Sequence, residues 1–226
     1  MDSGLRSKIF GRWIENILTK TLLLVPTELE ATKLRPHLSR DSEISSRCVI
    51  ERCGFGLIES AVRTSQQLAK RPVERIILIG IAGVYSRFSE QVGTATIVHS
   101  VVQYGIGSMK NGSFLTPPQL GFSTNAPEEI RLQTQTISTN QEEIDRKIQL
   151  VSVSCAGQLR EDEILTKYPH ASCEDMEGYS VAYVASEHQI PLTIIRGFSN
   201  VVGEEFANWK VDQAIESASK ILKQVI

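Results

Sequence analysis

The sequence predicts a three-layer α/β/α fold built on a central, mainly parallel mixed sheet. Three observations predict it. Short apolar runs recur at Thr21–Val25, Arg75–Ile79 and Leu192–Arg196, and each is closed by a proline or a glycine. Segments with apolar residues at helical spacing lie between such runs, which is the alternation of a doubly covered sheet. With 226 residues, 41% of them hydrophobic and 22% charged, the chain can bury one substantial core without unusual devices.

Taken in order, Ile9, Phe10, Trp13, Ile14, Ile17 and Leu18 recur at helical spacing and predict a helical extension over residues 1–20. It is expected to pack on the body or on a second subunit. Its basic residues, Arg6, Lys8, Arg12 and Lys20, make a weak polar face for membrane attachment. A single domain over 21–226 follows. Thr21–Val25 reads as a buried strand feeding a helix from about Glu28 to His37, and Arg47–Glu51 as a second strand. After Gly54-Phe55-Gly56, Ile58, Ala61, Val62, Ser65, Leu68 and Ala69 outline a helix. The strand Arg75–Ile79 is then closed by Gly80-Ile81-Ala82-Gly83.

Val92-Gly93-Thr94 opens a β-branched stretch reaching Val102, and Leu150–Ser154 is a further strand. The segment from about 104 to 149 carries no clear pattern. A helix from Gly178 to about His188 precedes the strand Leu192–Arg196. Trp209, Val211, Ala214, Ile215, Ala218, Ile221, Leu222 and Val225 outline a closing helix. Functional loops of such a fold gather at the carboxyl ends of its strands, placing Glu30, Gly83, Glu177 and Asn200 in comparable positions.

Charge and composition exclude several functions. The 24 basic and 26 acidic residues leave a net charge of −2, with no basic run to hold nucleic acid or an acidic membrane. No secretory signal or apolar span of about 20 residues is present, so a cytoplasmic protein is expected. Cys48, Cys53, Cys155 and Cys173 form no Cys-x-x-Cys pair, and His37, His99, His170 and His188 share no ligand spacing. Reduced thiols, no metal and no organic cofactor are therefore expected.

Chemistry concentrates at Cys173-Glu174-Asp175-Met176-Glu177-Gly178, where three acids precede a helix. Helix capping and the helix dipole account for one or two of them. A carboxylate that accepts from two adjacent hydroxyls is a natural ligand for a sugar diol, and a methionine beside it supplies an apolar floor. Near the first strand, Thr27-x-x-Glu30 has the form of a capping box.

Asp175-Met176-Glu177-Gly178 and Ile190-Pro191-Leu192-Thr193-Ile194-Ile195-Arg196-Gly197-Phe198-Ser199-Asn200 together resemble the paired motif of the nucleoside phosphorylase and nucleosidase superfamily. Gly80-Ile81-Ala82-Gly83 and Val92-Gly93-Thr94 extend the resemblance from Thr21 onward. It implies the three-layer fold, a homodimer, and cleavage of the bond between ribose and a purine, with Met176 and Glu177 on the ribose. It also implies that Gly83 and Ser199 belong to the substrate site. Phosphorylases of the superfamily tend to place arginines and glycines after the first strand, whereas this chain has Val25-Pro26-Thr27-Glu28-Leu29-Glu30. A carboxylate there repels phosphate and suits activation of water, so hydrolysis is expected.

By the same resemblance Glu30 activates the water, with Glu28 as the fallback if the register is off by two, and Arg196 orients both. Asn200 stands where adenine-type nucleosidases usually carry aspartate. An amide supplies no proton, but it can donate toward nitrogen 7 and the 6-oxo group of hypoxanthine or guanine. Its bland alternative is a turn residue ahead of Val201-Val202-Gly203. Ser199-Asn200, Gly203, Asn208-Trp209-Lys210-Val211 and Ala214 are similar to the futalosine hydrolases, with Phe206 or Trp209 walling base or ribose, or packing in the core. Ile81 departs from the serine common in adenine-type nucleosidases. The same-fold alternatives are a methylthioadenosine/S-adenosylhomocysteine-type nucleosidase and a purine nucleoside phosphorylase. A nucleoside-binding protein without activity would keep Glu177 and Asn200 but need no Glu30.

Overall fold

The structure is a computed structural model that describes residues 21–39, 42–133, 147–157 and 161–226; the expected N-terminal helix lies outside them. The described elements are β1 (Thr21–Val25), α1 (Glu28–Leu38), α2 (Ser42–Arg47), β2 (Cys48–Arg52), α3 (Gly56–Lys70), β3 (Ile76–Val84), β4 (Ala95–Ile97) and β5 (Ser100–Tyr104). They continue with β6 (Ser108–Lys110), β7 (Ser113–Leu115), β8 (Glu129–Arg131), β9 (Gln149–Val153), α4 (Glu161–Lys167), β10 (Ala171–Asp175), α5 (Gly178–Glu187), β11 (Leu192–Val201) and α6 (Val211–Val225).

One sheet runs in the order β2-β1-β3-β10-β9-β5-β8, with β11 on the other side of β3 and β4 beyond it. The pairs β1–β2, β1–β3, β3–β11, β9–β10 and β5–β9 are parallel. The pairs β3–β10, β4–β11 and β5–β8 are antiparallel, so the sheet is mixed.

Two-residue alternation divides each central strand between two cores. Leu22, Leu24, Ile76 and Leu78 pack with α5 residues such as Val181 and Ala185 on one face. Leu23, Val25, Ile77 and Ile79 pack with Leu34 of α1 and with Ile215 and Leu222 of α6 on the other. Both faces are covered, which is why β1 and the first half of β3 read as unbroken apolar runs.

Instead of a glycine turn after Ile79, β3 continues through Gly80-Ile81-Ala82-Gly83 to Val84. Likewise β11 runs past Arg196 to Val201. Gly83 and Asn200 thus sit inside strands rather than in following loops. The glycines provide close approach, not a turn: a Cβ on Gly197 would lie 2.1 Å from the carbonyl oxygen of Ala214 in α6.

The stretch expected from Val92 to Val102 divides into β4, paired with β11, and β5, paired with β9. Strand β10 was not expected, because strand preferences disfavour the acids that end it. Those acids are buried nonetheless, at Glu174 and Asp175, because protein donors meet each of them. Among the described residues no helix is long and apolar enough to cross a membrane. Cys48, Cys53 and Cys173 are buried free thiols, and Cys155 is exposed.

Candidate active site

A cleft of about 470 Å³ opens beside the carboxyl ends of β1, β10 and β11. Its wall takes Glu30 from α1, Gly83 from β3, Met176 and Glu177 from the β10–α5 junction, and Asn200 from β11. Phe206 and Trp209 close one side.

Glu30 forms the capping box that the sequence indicates, and it is also buried in the cleft. Its Oε2 accepts from the Thr27 amide at 3.0 Å and the Thr27 hydroxyl at 2.5 Å. Its own N–H donates back to the Thr27 hydroxyl. Oε1 reaches across to β3 and accepts from the Ile81 N–H at 2.9 Å. Cap and site residue are therefore one arrangement, in which the cap fixes the carboxylate. Burial raises the Glu30 pKa above the ordinary value, against the lowering effect of Thr27, the Ile81 N–H and Arg196. Glu28 is exposed and pairs with Arg52 at 3.0 Å, so the two-residue fallback points away from the cleft.

Arg196 is fully buried within β11. Its Nε and Nη2 donate to Oδ2 of Asp175 at 3.1 and 2.5 Å, and Nη2 lies 3.8 Å from Oε2 of Glu177. Nη1 has no hydrogen-bond partner among the described residues. Gly80 locates that nitrogen: a Cβ there would stand 2.5 Å from Arg196 Nη1 and 2.6 Å from Glu30 Oε1. The absent side chain of Gly80 keeps the guanidinium and the Glu30 carboxylate in one compartment. Burial acts to lower the Arg196 pKa, but Asp175, Glu177 and Glu30 outweigh it and raise the value.

Glu177 accepts from the Gly56 N–H at 3.0 Å at the start of α3. Burial first, and Asp175 second, push its carboxyl up to about 8. Met176 beside it is partly buried against the cluster of Tyr85, Val151 and Val153. Gly178 after them has a local cause: its N–H donates to Asp175 Oδ2 at 2.8 Å. A Cβ there would also stand 2.6 Å from Leu150.

Asn200 lies opposite Gly83 because β11 bulges between Phe198 and Asn200; such a bulge re-aims the side chain that follows it. Its Nδ2 donates to the Val201 carbonyl at 2.8 Å, and its Oδ1 accepts from the Ser199 hydroxyl at 2.7 Å. One N–H and one acceptor site remain. The expectation that both N–H groups face the base is thereby corrected, since one is committed to the backbone. Ser199 is fully buried with its hydroxyl turned onto Asn200, so it positions the amide. The Phe206 and Trp209 rings pack 5.1 Å apart, and Phe206 is exposed, which removes it from the core.

Two buried acids in the site escaped the sequence reading. Asp175 anchors Arg196 and accepts from Ser152 Oγ at 2.6 Å. Glu174 lines the cleft and accepts from the Gly157 N–H at 3.2 Å and the Tyr85 hydroxyl at 3.3 Å. The signal was present as three acids in four residues, and only the alternation of β10 separates their roles. Among the described residues no cluster of three or more His, Cys, Asp or Glu is placed to hold a metal ion.

The sequence pattern of the Phosphorylase superfamily matches residues 42–226. The chain belongs to this superfamily of nucleoside phosphorylases and nucleosidases. Within the superfamily it is similar to the futalosine hydrolase of Thermus thermophilus, with 28% identity over 218 residues covering 91% of this chain and 94% of that protein. The futalosine hydrolase of Streptomyces coelicolor is 26% identical over 157 residues, which span 64% of this chain and 62% of that protein's length. The 5′-methylthioadenosine/S-adenosylhomocysteine nucleosidase of Marinomonas is 23% identical over 186 residues, 79% and 80% of the two chains. Among solved structures, Helicobacter pylori futalosine hydrolase superposes with a TM-score of 0.68 at 16% identity, covering 91% and 96%. The nucleosidase of the same organism gives 0.71 at 16% identity, covering 92% and 97%. These superpositions show the shared superfamily fold.

Proposed function

We propose that the chain hydrolyses the N-glycosidic bond of a purine nucleoside. The composition of the cleft wall carries this reading: among the described residues it holds Glu30, Glu174, Asp175, Glu177 and Glu204 and no Lys, Arg or His side chain, and Arg196, which reaches the Glu30 compartment through Nη1 alone, is already engaged by Asp175. An acidic wall disfavours phosphate and leaves water as the nucleophile.

In this scheme Glu177 accepts from the ribose hydroxyls over Met176, and the base lies between Gly83 and Asn200. Water sits between Glu30 and the free Nη1 of Arg196. The bond from C1′ to the base breaks with its electron pair leaving on the base. The oxocarbenium-like ribosyl cation is stabilised by the surrounding carboxylates, water adds at C1′, and Glu30 takes its proton. The upward pull of burial on Glu30 makes it a stronger base than an exposed carboxylate. Asn200 donates one hydrogen bond to nitrogen 7, and solvent supplies the proton that the departing base needs.

Futalosine is the substrate we assign, supported by the likeness to the Thermus and Streptomyces enzymes at 28% and 26% identity. A methylthioadenosine-type substrate is the second reading. One observation favours it: the remaining donor and acceptor of Asn200 match the nitrogen 7 acceptor and 6-amino donor of adenine. The test is incubation with futalosine, inosine and 5′-methylthioadenosine, with and without phosphate, followed by identification of the released base. Hypoxanthine release from futalosine without phosphate is expected. Preferred adenine release overturns the substrate, strict phosphate dependence overturns hydrolysis, and binding without release overturns enzymatic activity. A homodimer also belongs to this proposal, supported by the exposed apolar Ile50, Phe55, Ile58 and Val62 around α3; light scattering at the dimer mass is the expected result.

A further inference from the structure

We infer that Thr27 is a positioning residue for the water-activating carboxylate: its hydroxyl and amide fill Oε2 of Glu30 and leave Oε1 to take the proton from water. This rests on the hydrolytic reading of the cleft. The geometry begins in the capping box. The Thr27 N–H donates to Oε2 at 3.0 Å, and the Thr27 hydroxyl donates to the same oxygen at 2.5 Å. The Glu30 N–H donates to Thr27 Oγ at 3.2 Å, which occupies the acceptor side of the hydroxyl and turns its hydrogen onto the carboxylate.

Capping accounts for only part of this. A cap satisfies backbone donors, here the N–H groups of Thr27 and Glu30. The bond from hydroxyl to carboxylate involves no backbone group, so the helix gains no satisfied donor from it. Its effect falls on Glu30 itself.

An ionised carboxylate offers about four acceptor sites, two on each oxygen. Thr27 takes both sites of Oε2. Oε1 accepts from the Ile81 N–H at 2.9 Å and keeps one site. Oε1 is also the oxygen beside Arg196: a Cβ on Gly80 would stand 2.6 Å from it and 2.5 Å from Arg196 Nη1. That nitrogen has no hydrogen-bond partner among the described residues. A water between them can donate to Oε1 while it accepts from Nη1, and Oε2 has no site left to compete for the proton.

The same hydroxyl holds the base in its charged form. Glu30 is 3% exposed, and burial favours the neutral acid, which cannot take a proton from water. Against burial act first the Thr27 hydroxyl, then the Ile81 N–H, Arg196 of β11 and the Thr27 N–H. The other titratable groups that feel the Glu30 charge are Glu177 at the β10–α5 junction and Cys53 after β2. Glu177 accepts from the Gly56 N–H and the Cys53 thiol donates to the Gly54 carbonyl, so a change at Thr27 reaches both through Glu30.

A pH profile separates this role from capping. The kcat/KM for whichever purine nucleoside the wild type cleaves best would be measured from pH 5 to pH 9 in the wild type, Thr27→Val and Thr27→Ser. Valine keeps the branched shape without the hydroxyl, and serine keeps the hydroxyl. Thr27→Val should move the acid limb upward by about one pH unit and lower the plateau above it by roughly 10-fold. Thr27→Ser should return the limb to the wild-type pH. Glycine caps almost as well as threonine, so Thr27→Gly, with the same upward shift expected, carries the test if Thr27→Val does not fold. A weakened cap alone lowers activity equally at every pH, and a limb set by Glu177 stays in place in every variant. Either result, or a shift that serine does not reverse, overturns the inference. A wild-type protein that cleaves no purine nucleoside, or cleaves one only with phosphate, overturns the hydrolytic reading itself, a distinct result.

Discussion

Arg196 gives two of its three nitrogens to a single oxygen of Asp175, at 3.1 Å from Nε and 2.5 Å from Nη2. The third nitrogen is thereby aimed at the compartment of Glu30. Because both groups are almost wholly buried, removing the Asp175 charge leaves a guanidinium without its main partner. Such an uncompensated buried charge costs several kcal/mol. Asp175→Asn should lower unfolding stability by about 3 kcal/mol, read as a shift of the urea midpoint, and should reduce turnover as Arg196 loses its orientation. A loss below about 1 kcal/mol would mean that Glu177 and Glu30 already compensate Arg196.

Gly80 separates positioning from packing in the same compartment. Adding one methyl group places a carbon 2.5 Å from Arg196 Nη1 and 2.6 Å from Glu30 Oε1, so both side chains must move. Gly80→Ala should lower kcat by roughly 100-fold, the effect of misplacing reacting groups by about 1 Å. Its stability loss should stay within the roughly 1–3 kcal/mol of overpacking. Steady-state kinetics and thermal melts on one preparation decide it, and an unchanged kcat would place the water elsewhere.

The pKa of Glu177 makes stability depend on pH in a defined direction. Burial and Asp175 raise its folded-state value to about 8 from the ordinary 4.5. A raised acid favours the folded chain when protonated, so its contribution is complete below about 4.5 and is lost as pH rises through about 8. Glu177→Gln cannot make that loss. Between pH 6 and pH 9 the variant should gain on the wild type by about 1–3 kcal/mol in urea unfolding. A difference independent of pH would place the Glu177 carboxyl near its ordinary value.

The alternation that sorts Leu22 and Leu24 from Leu23 and Val25 was readable as a buried strand, because composition alone signals burial on both faces. Glu30 was readable as a cap, and the structure shows that capping and burial in the cleft use the same carboxylate. Sequence could not reveal the positions created by register. Glycines inside β3 look like a turn unless the partners filling their space are known, and here those partners are Arg196 and Glu30 at Gly80 and Asn200 and Val202 at Gly83. The bulge at β11 that places Asn200 opposite Gly83 has no local signature. Glu174 and Asp175 are adjacent acids that look alike in sequence, yet alternation sends one to Tyr85 and Gly157 and the other to Arg196.

Asn200 faces the Val201 carbonyl through its Nδ2 at 2.8 Å, and that contact predicts what an acid would do in its place. In Asn200→Asp an oxygen replaces the donor, so an ionised carboxylate would meet the carbonyl as two acceptors in contact. The protonated acid relieves this by donating, and burial favours the neutral form further. The variant should thus hold a proton near nitrogen 7 that the wild-type amide does not have to give. Activity on adenine nucleosides should rise relative to 6-oxopurine nucleosides by about 10-fold, and the gain should fade as pH rises and the acid ionises. The ratio of kcat/KM for 5′-methylthioadenosine to that for futalosine, measured from pH 5 to pH 9, tests both parts. A ratio equal to that of the wild type at every pH would remove Asn200 from the base site.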